Sequence, residues 1–446
     1  MQDQELKTMD LSQHQLTRRQ LLWLMAIASG GVMTGCSVNP ATGKRQLMLM
    51  SASEEHKIDQ QHAPHQLSGD YGVVQDKALQ AYVAGLGQRI GGLSHRPEMT
   101  YSCNALNANY INAYAFPGGT MGVTRGILLS MESEAELAAL IGHEVAHVAA
   151  RHTAQRMTKQ TLTGIAVAGA GVAIATQTNN TTTALALGLG GVAAGALLAS
   201  YSRSDERQAD SLGIEYMTRA GYSPDGMVDL MDMLQNLSGR QPSMIEQMFS
   251  SHPMSDERYR DAQREATGRY GQHRSLPMHR ERYMDNTAGL RRIQPAIEQQ
   301  QRAETLLGQG QHAEAITALE SSLKTAPQDY TGLVMLGKAW MMQEQYDKAR
   351  PYLQQAIAVY PQEAQAQHLD GVVALQQKQP DVALQRFQTY QQLLPGNPNT
   401  DFFLGLSHEG LQQTPEASQA FRRFLQQGGS GKQAEYAQAR LAAWGS

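Results

Sequence analysis

The feature that most restricts what this chain can fold into is a 34-residue period in its C-terminal third. Pro327, Pro361 and Pro395 stand 34 residues apart, and Ala315, Ala349, Ala383 and Ala417 keep the same spacing, as do Ala303, Gly337, Gly371 and Gly405. A fixed period of this length marks one supersecondary unit stacked on copies of itself. Small residues at two fixed sites per unit are what paired helices need where their backbones meet closely. The proline stops the second helix of each unit before the next begins.

This spacing resembles the tetratricopeptide pattern. It covers four units, about 296–429, and Ala434–Trp444 reads as a capping helix within 430–446. The resemblance implies an α-solenoid that binds peptides or partner proteins in its concave face and carries no chemistry of its own. With 446 residues the chain is too long for one ordinary domain, so a second folded unit is expected upstream. A hydrophobic content of 41% supports real cores, and a net charge of −4 gives no sign of a nucleic-acid partner. Sparse aromatics and abundant Ala, Gln and Met lean towards a mainly α fold.

Residues 1–35 read as a signal peptide. Arg18 and Arg19 precede an apolar run from Leu21 to Met33, too short for a membrane span and of the length of an export segment. Met33-Thr34-Gly35-Cys36 resembles a bacterial lipobox, with Met33 where leucine is usual, and cleavage there would leave Cys36 as a lipidated first residue. Ser37 after it implies, by the same resemblance, delivery to the outer membrane. Thr17 to Leu22 is similar to a twin-arginine signal, which leaves the export route open. Residues 36–60 read as a polar tether. Cys36 and Cys103 are the only cysteines, so a metal would have to be held by His and carboxylates.

Residues 61–285 have a mixed pattern. Met99–Leu106 and Tyr110–Phe116 alternate as strands do and are bounded by Pro117-Gly118-Gly119, so a small sheet among helices is expected. Two Ala/Gly-rich apolar runs, 162–176 and 184–200, surround a polar tip. Each is too short to span a membrane. They read either as a helical hairpin insert that packs closely or touches a membrane surface, or as a flexible loop.

The chemistry starts from His143-Glu144-Val145-Ala146-His147, which fits H-E-x-x-H. Ser133-x-x-Glu136 is a capping box, so the motif falls on a helix, where i and i+4 share a face. Ala138 to Ile141, Val145, Ala146 and Val148 to Ala150 make that helix apolar nearly all round, hence buried. Two imidazoles and a carboxylate buried without partners would cost several kcal/mol, a cost that a divalent cation removes. A glycine at 150 and a histidine at 153 would extend the motif in one known way, but the chain has Ala150 and Thr153 there. His152 is out of register and reads as a surface residue. Within Ser202–Asp210, Glu206 can be the carboxylate ligand of a His₂Glu site, and Asp210, one turn later, can orient a ligand imidazole. An exposed charged helix explains the same residues, and spacing alone does not separate the two.

Together with Asn112-Ala113-Tyr114-Ala115-Phe116-Pro117-Gly118-Gly119, these motifs resemble the HtpX/BepA-type gluzincin metalloproteases, a family that also contains the CAAX prenyl proteases. The resemblance covers about 50–440, and the appended repeats make it most similar to the β-barrel assembly-enhancing type. It implies one Zn²⁺ per chain on His143, His147 and Glu206, with Glu144 as the base that activates water. It further implies a periplasmic endopeptidase of misfolded or unassembled envelope proteins, lipid-anchored through Cys36 to the outer membrane, whose repeats hold substrate or the β-barrel assembly machinery. Tyr110–Phe116 is then an edge strand for substrate or, equally, an ordinary core strand. His252, kept out of a helix by Pro253, could cap the zinc and keep the enzyme latent, stabilise the oxyanion, or simply bond to backbone. The alternative function is a chaperone-like adaptor whose protease site is latent or minor.

Overall fold

The structure, a computed structural model, describes residues 36–159, 200–240 and 242–445. The signal segment 1–35 and nearly all of the apolar insert, 162–199, lie outside the described residues. No helix among the described residues is long and apolar enough to cross a membrane.

Two short antiparallel strands come first, β1 (Cys36–Val38) and β2 (Arg45–Leu47), with Cys36 opposite Leu47. Helix α1 (Ala52–Gly69) starts at a capping box, Ser51 with Glu54. Residues 36–60, read as a tether, therefore hold this hairpin and the first half of α1. After α2 (Lys77–Gly91) come β3 (Ser102–Leu106), β4 (Ala113–Ala115) and β5 (Thr120–Thr124), ordered β3-β5-β4. β3 runs parallel to β5 and β4 antiparallel to it. β3 and β4 fall inside the two segments whose alternation announced them. β5 is central and nearly all buried, so it has no polar face to produce alternation, and the sequence pattern passed over it.

β5 runs directly into α3 (Arg125–Ser130) and then α4 (Glu134–Ala149), capped by the Ser133 side chain on the Glu136 amide. Every residue of α4 is buried, so the whole domain is assembled around it. Helix α5 (Arg203–Arg219) crosses α4 with Gly142 against Gly213. A Cβ on Gly142 would lie 2.9 Å from the Gly213 carbonyl oxygen, so any larger residue would push the two helices apart. Helices α6 (Asp225–Arg240), α7 (Pro242–Ser251), α8 (Asp256–Thr267) and α9 (Arg280–Arg292) close the layer around α4.

Nine further helices complete the described chain. They are α10 (Gln294–Gly308), α11 (His312–Thr325), α12 (Tyr330–Met342), α13 (Tyr346–Val359), α14 (Ala364–Gln376), α15 (Pro380–Leu393), α16 (Pro398–Gly410), α17 (Thr414–Gln426) and α18 (Gly431–Ala443). They pack as successive pairs, as the period requires. Ala303, Ala315, Ala349, Ala383 and Ala417 are fully buried at the pair contacts, and Phe421 of α17 lies where a Cβ on Gly405 of α16 would stand.

The array folds back on the first domain. Buried Arg125, the first residue of α3, donates to Asn109 Oδ1 (2.9 and 2.7 Å), to Gln300 Oε1 of α10 (2.5 Å) and to both carboxylate oxygens of Asp329, which caps α12 (2.7 and 3.1 Å). Thr331 Oγ1 donates to the Asn107 carbonyl, and Ser68 donates to Glu363 at the start of α14. Lys338 lies 4.7 Å over the Tyr71 ring. The first helices of three successive units thus face the domain rather than open solvent.

Two outcomes follow from these contacts. Arg125→Ala strips a buried carboxylate of its cation and should lower stability by about 3–5 kcal/mol in denaturant unfolding; an unchanged midpoint would show that the interface does not depend on this residue. Burial pushes the Glu363 carboxyl up to about 7, against an ordinary value of about 4.3 in the unfolded chain. The folded state therefore holds the extra proton, and this contribution to stability falls as pH rises between those two values. Glu363→Gln should match the parent near about pH 5 and melt a few degrees above it near about pH 8; parallel curves at both pH values would contradict the assignment.

Candidate metal centre

The capped helix α4 carries His143 and His147 one turn apart, and α5 brings Glu206 and Asp210 alongside through the Gly142–Gly213 contact. His252 follows the last residue of α7 and is held there by its amide on the Met248 carbonyl (2.7 Å). One ligand-type atom from each of His143, His147, Glu206 and His252 lies within 4.8 Å of the others, and all four residues are buried. His143 Nε2 is 3.0 Å from His147 Nε2, 3.6 Å from Glu206 Oε2 and 3.3 Å from His252 Nδ1. His147 Nε2 is 3.3 Å from Glu206 Oε1, and His252 Nδ1 is 3.1 Å from the same oxygen.

Hydrogen bonds on the far side of each ring fix which nitrogen is bare. Asp210 Oδ1 lies 3.0 Å from His143 Nδ1 and accepts its proton, which leaves the Nε2 lone pair free. His152 Nε2 donates to Gln208 Oε1 (3.0 Å), so its Nδ1 is the acceptor for His147 Nδ1–H at 2.9 Å. His147 Nε2 is then bare as well. Two bare nitrogens 3.0 Å apart repel, and together with the Glu206 carboxylate they form a donor set suited to a divalent cation. Glu144 points the same way: both of its carboxylate oxygens are buried without a hydrogen-bond partner, a costly state for a group that only serves the protein's packing.

The electrostatics divide the acids and imidazoles by task. Burial pushes the Glu144 carboxyl up, with His252 and His143 only partly opposing it. Burial drives His147 well below its ordinary value, so it stays neutral, as a ligand must. Burial alone would raise Glu206, but His252, His147 and His143 hold it well below the usual carboxylate range. Asp210 is also held low against burial, chiefly by Arg258, whose Nε and Nη2 donate to its two oxygens at 2.7 Å each. The same guanidinium sits 2.7 Å from Glu206 Oε2. Burial would lower His252, but Glu206 and Glu144 on either side of it raise it overall.

The structure thus brings together all six residues singled out in the sequence: His143, Glu144, His147, Glu206, Asp210 and His252. One expectation is corrected. His152, read as a surface residue, is 1% exposed and is the orienting partner of His147. Its register fails for a metal ligand but suits the far side of the ring, because the chain turns at Arg151, which has φ of +61°. Two residues gave no sequence signal. Arg258 lies on another helix, α8, in a charged stretch whose local sequence carries no sign of a buried role. Tyr201 stacks on the His147 ring at 3.8 Å between centroids.

Comparison with known proteins agrees with this geometry. Residues 74–266 match the model of peptidase family M48, and residues 306–370 match a tetratricopeptide repeat model. A protein of Yersinia pestis named beta-barrel assembly-enhancing protease is 28% identical over 225 residues, 48% of this chain and 46% of that protein. The protein of that name from Escherichia coli K12 is 25% identical over 231 residues, 51% of this chain and 47% of that protein. Metalloprotease YcaL of the same organism is 26% identical over 246 residues, 53% of this chain and 93% of that protein. The chain spans about half the length of the beta-barrel assembly-enhancing relatives it matches. Its first folded unit is therefore a peptidase family M48 domain, joined to a C-terminal tetratricopeptide array.

Proposed function

We propose that this chain is a zinc-dependent endopeptidase of the bacterial envelope. The observation that carries the proposal is the buried set of His143, His147 and Glu206 with the Glu144 carboxylate, which accepts no hydrogen bond, beside it. Those three residues would hold the metal, and two imidazoles with one carboxylate are a set that zinc accepts. Zinc supplies Lewis acidity: it polarises a carbonyl and makes water a stronger acid. Glu144 takes the proton of the attacking water and passes it to the leaving amine, and burial makes its carboxylate a stronger base for that task. Asp210 and His152 keep the two imidazoles oriented while this happens. Strand β4, at the edge of its sheet, would align an extended substrate by strand addition.

By likeness to relatives named for β-barrel assembly, the substrates are misfolded or unassembled envelope proteins. The place of action is the periplasm, with Cys36 lipid-anchored to the outer membrane. The inner helices of the first three repeat units already face the peptidase domain. Partners, including the β-barrel assembly machinery, would therefore use the remaining surfaces of the array. His252, whose Nδ1 lies 3.3 Å from His143 Nε2 and 3.1 Å from Glu206 Oε1, would be a fourth donor at that site and would keep the enzyme latent. A second reading, a chaperone-like adaptor with a minor protease site, draws on one observation: every residue of the cluster is buried, so the site is closed as it stands.

Glu144→Gln should lower cleavage of an unfolded protein by at least about 100-fold, while zinc content by elemental analysis and the circular dichroism spectrum match the parent. Parent-level cleavage would remove Glu144 from this role, and a metal-free parent would remove zinc. His252→Ala should raise the cleavage rate. A lost rate would assign the imidazole to oxyanion stabilisation instead, and an unchanged rate would eliminate both roles.

A further inference from the structure

The β1–β2 hairpin presents two chemically opposite faces. Along the second strand and its continuation, Arg45, Leu47 and Leu49 are exposed while Gln46 and Met50 are partly buried and Met48 is buried. Across the ladder Val38 pairs with Arg45, so it shares their outer face. Val38, Leu47 and Leu49 are 56%, 44% and 48% exposed. They are half of the large exposed apolar side chains among the described residues; the others, Leu93, Met342 and Tyr436, are scattered singly. An isolated two-stranded ribbon is marginal by itself, and three exposed apolar side chains on one face of it make a candidate contact surface.

The inner face is clamped to the end of the metal-bearing helix. Asn39 Nδ2 donates to the Ala150 carbonyl at 3.2 Å. Arg151, in the left-handed region at φ +61°, donates to Ser37 Oγ (3.2 Å), the Met50 carbonyl (2.7 Å) and buried Glu55 (2.8 Å). A non-glycine residue stays in that conformation only where its surroundings fix it, and here the hairpin and α1 do so. The hairpin is therefore a rigid extension of α4.

We propose that the outer face of this hairpin docks on the surface of an anionic phospholipid bilayer, with Val38, Leu47 and Leu49 entering the headgroup layer. Two observations select that occupant. Lys44 and Arg45, both exposed, are the only charged residues of the hairpin itself, 36–50, so the charge that the hairpin adds beside the apolar side chains is positive, with Glu54 the first acid after it. Cys36 also stands three residues after the apolar run Leu21–Met33, so the hairpin lies next in the chain to a membrane-seeking segment. The inference rests on the reading that this segment brings the chain to a membrane. Docking would fix the height and tilt of α4, and with them the direction from which a substrate reaches His143 and His147.

The test uses the full chain with Cys36→Ser, so that no lipid can be attached and Cys103, 1% exposed, is the only remaining native thiol. An environment-sensitive dye is placed by Leu47→Cys, by Leu49→Cys or, as a control on the exposed face of α18, by Lys432→Cys. Vesicles of phosphatidylethanolamine and phosphatidylglycerol, with and without spin-labelled lipid, are then added. Docking shifts the dye to the blue and quenches it at 47 and 49 but not at 432, and Lys44→Gln with Arg45→Gln lowers the vesicle partition constant by about fivefold per charge. Dye at 47 and 49 that stays in water on a chain that sediments with vesicles overturns the docking but leaves the membrane reading intact. A chain that does not sediment with vesicles overturns both. Shielding that grows with protein concentration before any vesicles are added shows a contact between copies and overturns the proposal.

Discussion

The close crossing of α4 and α5 at Gly142 and Gly213 is the contact on which the site depends. With no side chain at either position the helices approach until backbone meets backbone, and a Cβ on Gly213 would stand 3.0 Å from the His143 amide. That approach brings Glu206 level with both imidazoles and Asp210 behind His143. It also explains why α4 is buried on every side: a helix serving as the floor of a buried polar cluster must be sealed from water by its neighbours. Met227 and Leu230 of α6 and Met248 of α7 provide part of that seal next to His143.

The cluster is organised in two layers, and the outer layer decides the chemistry of the inner one. Asp210 and His152 take the Nδ1 protons, so both Nε2 atoms face inward without hydrogen. Arg258 bridges Asp210 and Glu206 and keeps Asp210 ionised in a buried place, while His252, His147 and His143 do the same for Glu206. Glu144 accepts no hydrogen bond, and the lack fits a group that must exchange a proton rather than hold a fixed charge. Of the three imidazoles in the inner layer, His252, between Glu206 and Glu144, is the one carried by the end of a short helix rather than by α4.

The repeat array is fastened to the peptidase domain by charge buried in a largely polar interface. Arg125 is the centre of that contact, with Asn109 of its own domain and Gln300 and Asp329 of the array around one guanidinium. Glu304, which Asn109 binds, and Glu363 are both pushed up to about 7 by burial, while Lys338 is brought down to about 8 for the same reason. Such groups do little for net stability, but they admit only one docking arrangement, because a shifted register would leave several of them unpaired.

Much of this was legible in the chain itself. The 34-residue period set the helical array because small residues recur where helices must touch, and that requirement is local to each unit. H-E-x-x-H on a capped, apolar helix placed both imidazoles on one buried face, again through short-range geometry. β5 escaped notice because a strand buried on both sides has no alternation. Arg258, Tyr201 and the role of His152 escaped because nothing in their local sequence distinguishes them from surface residues. Their partners lie on other helices, and Glu206 had no local signal beyond its charge. The sequence by itself determined which residue types could hold a metal and which segments would stack. Only the tertiary structure decided which nitrogen of each imidazole is bare, and that the array rests on the peptidase domain. Both depend on contacts between residues far apart in the chain, which spacing does not encode.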